Sequence, residues 1–464
     1  AGVLARALLA ARGDVPAGAA APKDFIGQAI KALVMHEIGH TLGLRHNFRG
    51  SAGATADELR DRSYTAREGM GVSVMDYSPP SIARDARRQG DYFAPTIGSY
   101  DRWAIRYGYT ASGALGGDAA EPRPAPGGTG AHVSWTPEVE GNALRAIASE
   151  ASDPAHVYGT DEDAGFGGAG VDPSVSRYDQ TDKPLEWARE RVALINSLFD
   201  SLDTRMVAPG QSYARLRAAF TDLLTDRWYA MLVTTKYLGG ATTSRDHRGD
   251  PSARPPLVTL PAAEQREALT FLVEQAFGES AYRFSPDLLS NLAPDRWTHW
   301  GSGSDGRIDF AVHDWAQAQQ GALLGQLLDP AVLERIRDAE LRVRAGDDGF
   351  TLPELFATLD GGLWSELGTK PGTAQNIGSI RRDIQRQYLN RLISFVVSPA
   401  VGTPEDAQTL ARLSMTELAG RLDRALARPA TDFDTYTRAH LVDSRERITQ
   451  ALTAPMLQTL SNTR

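Results

Sequence analysis

Between residues 36 and 46 the chain reads H-E-I-G-H-T-L-G-L-R-H, and the spacing of its polar groups restricts the local fold more than any other segment does. His36 and His40 are four apart, so on a helix they lie one turn apart on the same face, with Cβ atoms about 5–6 Å from each other. Both imidazoles can then reach one zinc ion at about 2.0–2.1 Å. A third ligand has to arrive from another direction. Gly43 supplies the change, because it tolerates positive φ, ends the helix and lets the chain turn so that His46 points back. Three neutral histidines leave the ion its full charge and one open position for water, whose pKa falls to about 7. Glu37 directly follows the first ligand and stays beside the ion without pointing at it. It is placed to take a proton from the attacking water and pass it to a leaving amine. The bland alternative is a set of ordinary helix histidines. A lone H-E-x-x-H does occur by accident, but Gly43 and His46 in register argue against coincidence.

Composition bounds the rest. A chain of 464 residues exceeds what one core usually holds, so two domains, or one large domain with appendages, are expected. The net charge of -9 argues against nucleic acid or an anionic membrane as partner. No apolar run has the length of a transmembrane segment; Ile393 to Val401 is broken by Ser398 and Pro399. With no cysteine, disulfides and thiolate ligands are excluded, and any metal falls to His, Asp, Glu or Tyr. Gly2 to Ala11 is apolar but interrupted by Arg6, so it does not read as a signal peptide, and Ala1 reads as the cut end of a longer chain. Oligomeric state is not legible.

Helical spacing runs from Pro22 to Leu44, with Asp24 able to cap the start and Phe25, Ile26, Ile30, Leu33 and Val34 expected to face one side. Residues 50 to 70 read as a polar loop and Ser99 to Tyr109 as a further helix, with Tyr100, Trp103, Ala104 and Tyr107 on one face. The stretch 111–180 is rich in glycine and proline and reads as a connecting region, with a candidate hairpin around His132 to Trp135. Beyond Pro184 apolar stripes predict helices. One runs Leu185, Ala188, Val192, Ile195, Phe199, Leu202; a second runs Leu216 to Met231 and stops at Gly239-Gly240. A third runs Ile377 to Phe395, and a fourth Leu410, Leu413, Leu418, Leu422.

About thirty residues after the histidines comes Ser73-Val74-Met75-Asp76-Tyr77, a tight segment ahead of Pro79-Pro80. Taken alone, Met75 reads as a core residue and Tyr77 as an ordinary turn tyrosine. Together with the upstream motif the segment resembles the metzincin metallopeptidases, whose extended zinc motif is followed by a methionine-containing turn. The S-V-M-D-Y form is similar to astacin-like and serralysin-like enzymes. H-N-F-R-G-S after His46 and I-G-S-Y-D-R-W-A-I-R-Y-G-Y look like the large bacterial zinc-dependent proteases with a C-terminal Met-zincin domain. T-D-E-D (Thr160 to Asp163), V-D-P (Val171 to Pro173) and R-Y-D (Arg177 to Asp179) share that likeness.

The resemblance implies a zinc endopeptidase acting on peptide or protein, with His36, His40 and His46 on the metal, Glu37 as general base and acid, and Met75 as an apolar floor. Tyr77 would be a loose ligand that swings to hydrogen-bond the reacting carbonyl. It also implies an extracytoplasmic location. Metzincins place a twisted sheet before the active-site helix, and the residues ahead of His36 are too few to contain one. The expected fold is therefore mainly α (α+β overall): a metzincin-like catalytic core over 1–110 lacking its N-terminal sheet, the connecting region 111–180, and an α-helical domain over 181–464. The competing function is a non-catalytic, zinc-stabilised domain that binds a protein partner; an intact Glu37 counts against it. Asp161, Glu162 and Asp163 could bind calcium, though without EF-hand spacing, and otherwise form a solvated acidic loop. His132, His156, His247, His299, His313 and His440 are scattered without ligand spacing, and Trp297, Trp300 and Trp315 read as core or domain contacts.

Overall fold

Helix α1 spans Lys23–Thr41 in the computed structural model, which describes residues 7–10, 12–16, 21–110, 137–294, 307–368 and 376–454. The helix follows Pro22 and has no side-chain cap. Asp24 does not cap it; it sits in the first turn, where a negative charge suits the positive end of the helix dipole. At the other end the Gly43 N–H donates to the His40 carbonyl and the Leu44 N–H to the Gly39 carbonyl, both at 3.0 Å. This is the Schellman pattern, and it needs the left-handed backbone that Gly43 adopts at φ +87°.

The apolar face of α1 lies where the periodicity did not put it. Phe25 is buried edge-on against the rings of Tyr92 and Phe93, at 5.2 and 5.0 Å. Ile26, Ile30, Leu33 and Val34, expected to point inward with it, are 46–59% exposed, and Ile38 and Leu42 continue the same outward stripe. At 100° per residue, His36 and Gly39 share the arc of Phe25 while Ile30, Val34 and Ile38 fall opposite. The helix is held through that narrow arc. Spacing revealed an apolar stripe but not which side of the helix has neighbours.

Short helices α2 (Arg62–Glu68), α3 (Ser99–Tyr109) and α4 (Pro137–Ala148) follow. α3 has the limits its sequence predicts. The region 111–180 carries α4 in its described part, then a loop that hydrogen-bonds to residues 46–48; the candidate hairpin at 132–135 lies outside the described residues, as do His132, Trp297, His299 and Trp300.

From α5 (Pro184–Phe199) onward helices build the bulk of the molecule. They include α6 (Leu202–Met206), α7 (Ala214–Thr234), α8 (Ala262–Gln275), α9 (Pro286–Ser290), α10 (Val312–Leu327), α11 (Pro330–Glu340), α12 (Leu352–Leu363), α13 (Ser379–Val397), α14 (Glu405–Leu426) and α15 (Thr435–Thr453). Leu185, Ala188, Val192, Ile195 and Phe199 are all buried, as their spacing requires. On α14 Leu418 and Leu422 are buried but Leu413 is 51% exposed; small residues, Ala407 and Ala411, take the inner face and let α13 and α15 approach. The only sheet among the described residues is an antiparallel pair, β1 (Ala241–Thr243) and β2 (Leu257–Thr259), with Ala241 opposite Thr259. No strand lies in the described residues before α1, and the fold is mainly α. Among the described residues no helix is long and apolar enough to cross a membrane.

Candidate metal centre

α1 and the loop after it bring His36, His40 and His46 together. One nitrogen of each ring lies within 4.8 Å of the others, and this is the one such group of potential ligands among the described residues. Each ring is oriented through Nδ1. His36 donates to the Val74 carbonyl at 2.8 Å, His40 to the Leu44 carbonyl at 3.0 Å, and His46 to both carboxylate oxygens of Asp161 at 3.1 Å. These acceptors have no hydrogen to give, so a ring proton sits on Nδ1, and it is the Nε2 lone pair that a neutral ring offers. For His46 that Nε2 is buried without a hydrogen-bond partner, which fits a position meant to be filled by a cation. His36 has its pKa lowered, first by burial and then by the neighbouring imidazoles, against the raising effect of its bond to Val74. A neutral imidazole is the ligand form.

The segment 73–77 supports the rings from below. Met75 is fully buried, and a Cβ built on Gly39 would come within 2.3 Å of its sulfur. The helix can rest this closely on the methionine because residue 39 has no side chain. Asp101, at the start of α3, accepts from the Ser73 hydroxyl at 2.6 Å, the Val74 N–H at 2.8 Å and the Gly98 N–H at 2.9 Å. Burial raises the Asp101 pKa, and those three donors work against the rise. The turn whose carbonyl orients His36 is thereby tied to α3. The ring of Tyr77 lies 4.7 Å from that of His46 and 5.4 Å from that of His36. Glu37 is exposed and, with His36, lines a pocket of about 460 Å³ whose walls include Ile30, Leu33, Val74, Tyr92 and Phe93.

A family model described as Met-zincin matches residues 18–371, well over half of the chain. The chain belongs to the Met-zincin family. No curated protein and no solved structure matches it. The Met-zincin match contains the three histidines, the methionine turn and the helices through α12, while α13 to α15 lie beyond it. A Met-zincin is a domain of the zinc-metallopeptidase type, and the donor set here, three imidazoles presented through Nε2 with no thiolate or carboxylate ligand, suits zinc.

Asp161 departs from its expected part. Asp161, Glu162 and Asp163 do not converge as a calcium site would; they pair with Arg45, Arg177 and Arg245. The loop is partly solvated, as expected, but Asp161 also reaches His46. Burial raises its carboxyl pKa, yet the hydrogen bond from His46 and the charges of Arg177 and Arg45 outweigh that and hold it below the usual value. Asp101 was legible as part of a helix that resembles the family, not as the anchor of the turn. Of the scattered histidines, His156 stacks on Trp103 at 5.2 Å and His440 is buried against Trp364, while His247 and His313 are exposed. Trp315 stacks on Phe310 at 5.9 Å, a core contact.

Proposed function

We propose that this Met-zincin is a zinc-dependent endopeptidase, with His36, His40 and His46 as ligands and Glu37 as general base and acid. The observation that supports it most is the set of three rings with Nδ1 occupied and Nε2 turned to a common centre, beside an exposed carboxylate at the edge of an apolar pocket. Zinc, when bound, supplies Lewis acidity toward a scissile carbonyl and acidifies a water. Glu37, one residue from a ligand, receives the proton of that water and delivers it to the leaving nitrogen. Tyr77 stays protonated, since burial raises its pKa and the neighbouring Tyr178 and Asp161 add to the effect. Its hydroxyl can then donate to the carbonyl oxygen as negative charge develops. The pocket lined by Ile30, Leu33 and Phe93 favours an apolar side chain next to the cleaved bond. The substrate in this reading is peptide or protein, and the extracytoplasmic location stays an implication of the resemblance alone.

The test compares wild-type chain with Glu37→Ala on a peptide library, with bound zinc measured in both. Loss of cleavage with zinc retained is expected. Normal cleavage by the variant would overturn the role of Glu37, and zinc bound by a wild-type chain that cuts nothing would favour the non-catalytic domain.

A further inference from the structure

His36 and His40 project from one helix, so the backbone fixes their separation. His46 has no such frame: residues 44–47 lie outside regular structure. Its orientation is imposed from elsewhere. The ring of Phe48 stacks on it at 5.0 Å, and both oxygens of Asp161 receive its Nδ1 proton. Asp161 belongs to a segment 115 residues downstream, and that segment is registered against the loop that bears His46. The Phe48 N–H donates to the Gly159 carbonyl at 2.7 Å, the Asn47 amide to the Val157 carbonyl at 2.9 Å, and the Ser176 N–H to the Phe48 carbonyl at 3.0 Å. Arg177 reaches Asp161 at 3.3 Å and also lies over the Phe48 ring, which keeps the carboxylate aimed at the imidazole.

The three rings are not held alike. His36 and His40 donate to neutral backbone carbonyls; His46 donates to an anion. An anion on Nδ1 strengthens the donor power of Nε2 and fixes the ring plane. We infer that Asp161 is the positioning residue of the third ligand, so that the metal affinity of the centre depends on the docking of residues 157–182. This inference rests on the zinc-site reading proposed above.

Zinc affinity of the full chain, measured with zinc alone against a chromogenic chelator, tests it. Asp161→Ala is expected to bind zinc about 10–100-fold more weakly, as loss of such a partner does elsewhere. Asp161→Asn keeps an acceptor without the charge and is expected to fall between; it also decides the matter should the alanine variant misfold. Glu162→Ala removes the neighbouring partner of Arg45 and is expected to keep wild-type affinity, and the zinc-free Asp161 variants are expected to keep the wild-type circular dichroism spectrum. Unchanged zinc affinity in folded Asp161→Ala, or an equal loss in Glu162→Ala, overturns the inference. Zinc binding that depends on Asp161 in a chain that cleaves no peptide supports it and removes the proposed activity. Peptide cleavage with affinity indifferent to Asp161 does the reverse.

Discussion

Gly39→Ala probes how closely α1 rests on the methionine turn. The new methyl would lie 2.3 Å from the sulfur of Met75 and 3.3 Å from its terminal carbon, where an ordinary contact needs about 3.5–4.0 Å. Either Met75 or the helix must give by more than about 1 Å, and Met75 is fully buried, with no solvent to move into. Overpacking of this kind costs about 1–3 kcal/mol, and alanine in place of a mid-helix glycine returns about 1 kcal/mol. The net local loss is therefore about 0–2 kcal/mol. Met75→Ala alone removes a buried side chain and should cost about 2–5 kcal/mol. In the double variant the methyl at 39 enters the space the methionine left, so the overpacking term is relieved and the combined loss should fall short of the sum by about 1–3 kcal/mol. Native-state hydrogen exchange of the α1 amides suits the measurement, because it reads local opening in a chain too large for a single unfolding step. Losses that add within about 0.3–0.5 kcal/mol would refute the contact and the reason given for a glycine at 39.

Two further outcomes follow from buried titratable groups. Asp101→Asn loses charge-assisted bonds to Ser73, Val74 and Gly98 and turns an amide N–H₂ toward donors; a local loss of about 2–4 kcal/mol is expected, with weaker zinc binding because Val74 orients His36. Equal zinc affinity in a chelator competition would show that the turn does not need this anchor. His440 has its pKa pushed down to about 3, by burial first and then by Arg386, Arg382 and Arg447. The unfolded chain takes up that proton near pH 6.5 and the folded one does not, so the stability this group contributes is full above pH 6.5 and is lost toward pH 3, at about 1.4 kcal/mol per pH unit. The opening free energies of the α15 amides, read by native-state hydrogen exchange, should fall more steeply from pH 7 to 5 in wild type than in His440→Phe; parallel slopes would count against it.

The clustering of the three histidines was legible because its main determinants are local. His36, Glu37 and His40 follow from one helical turn, and Gly43 announces the bend that returns His46. Met75 and Tyr77 were legible through their likeness to a known turn, not through their own residue types. Asp161 was not: an acidic residue in a glycine-rich loop looks the same whether water or an imidazole faces it, and nothing local says which. The four helices read from stripes after Pro184, α5, α7, α13 and α14, read well because each buries a wide stripe, although Leu413 of α14 points outward. α1 misled for the opposite reason. It buries Phe25, His36 and Gly39 along a narrow arc, and its most regular apolar stripe is the side left outside.

The hydrogen bonds that join residues 47 and 48 to Val157, Gly159 and Ser176 also set a schedule. During synthesis the histidines are made well before the segment that fixes the third of them. At about 5–20 residues per second the gap from His46 to residue 182 is on the order of ten seconds. Over that interval the nascent chain displays the motif without its full frame. The frame of His46 therefore cannot be complete before the downstream loop is made, however early the three histidines appear.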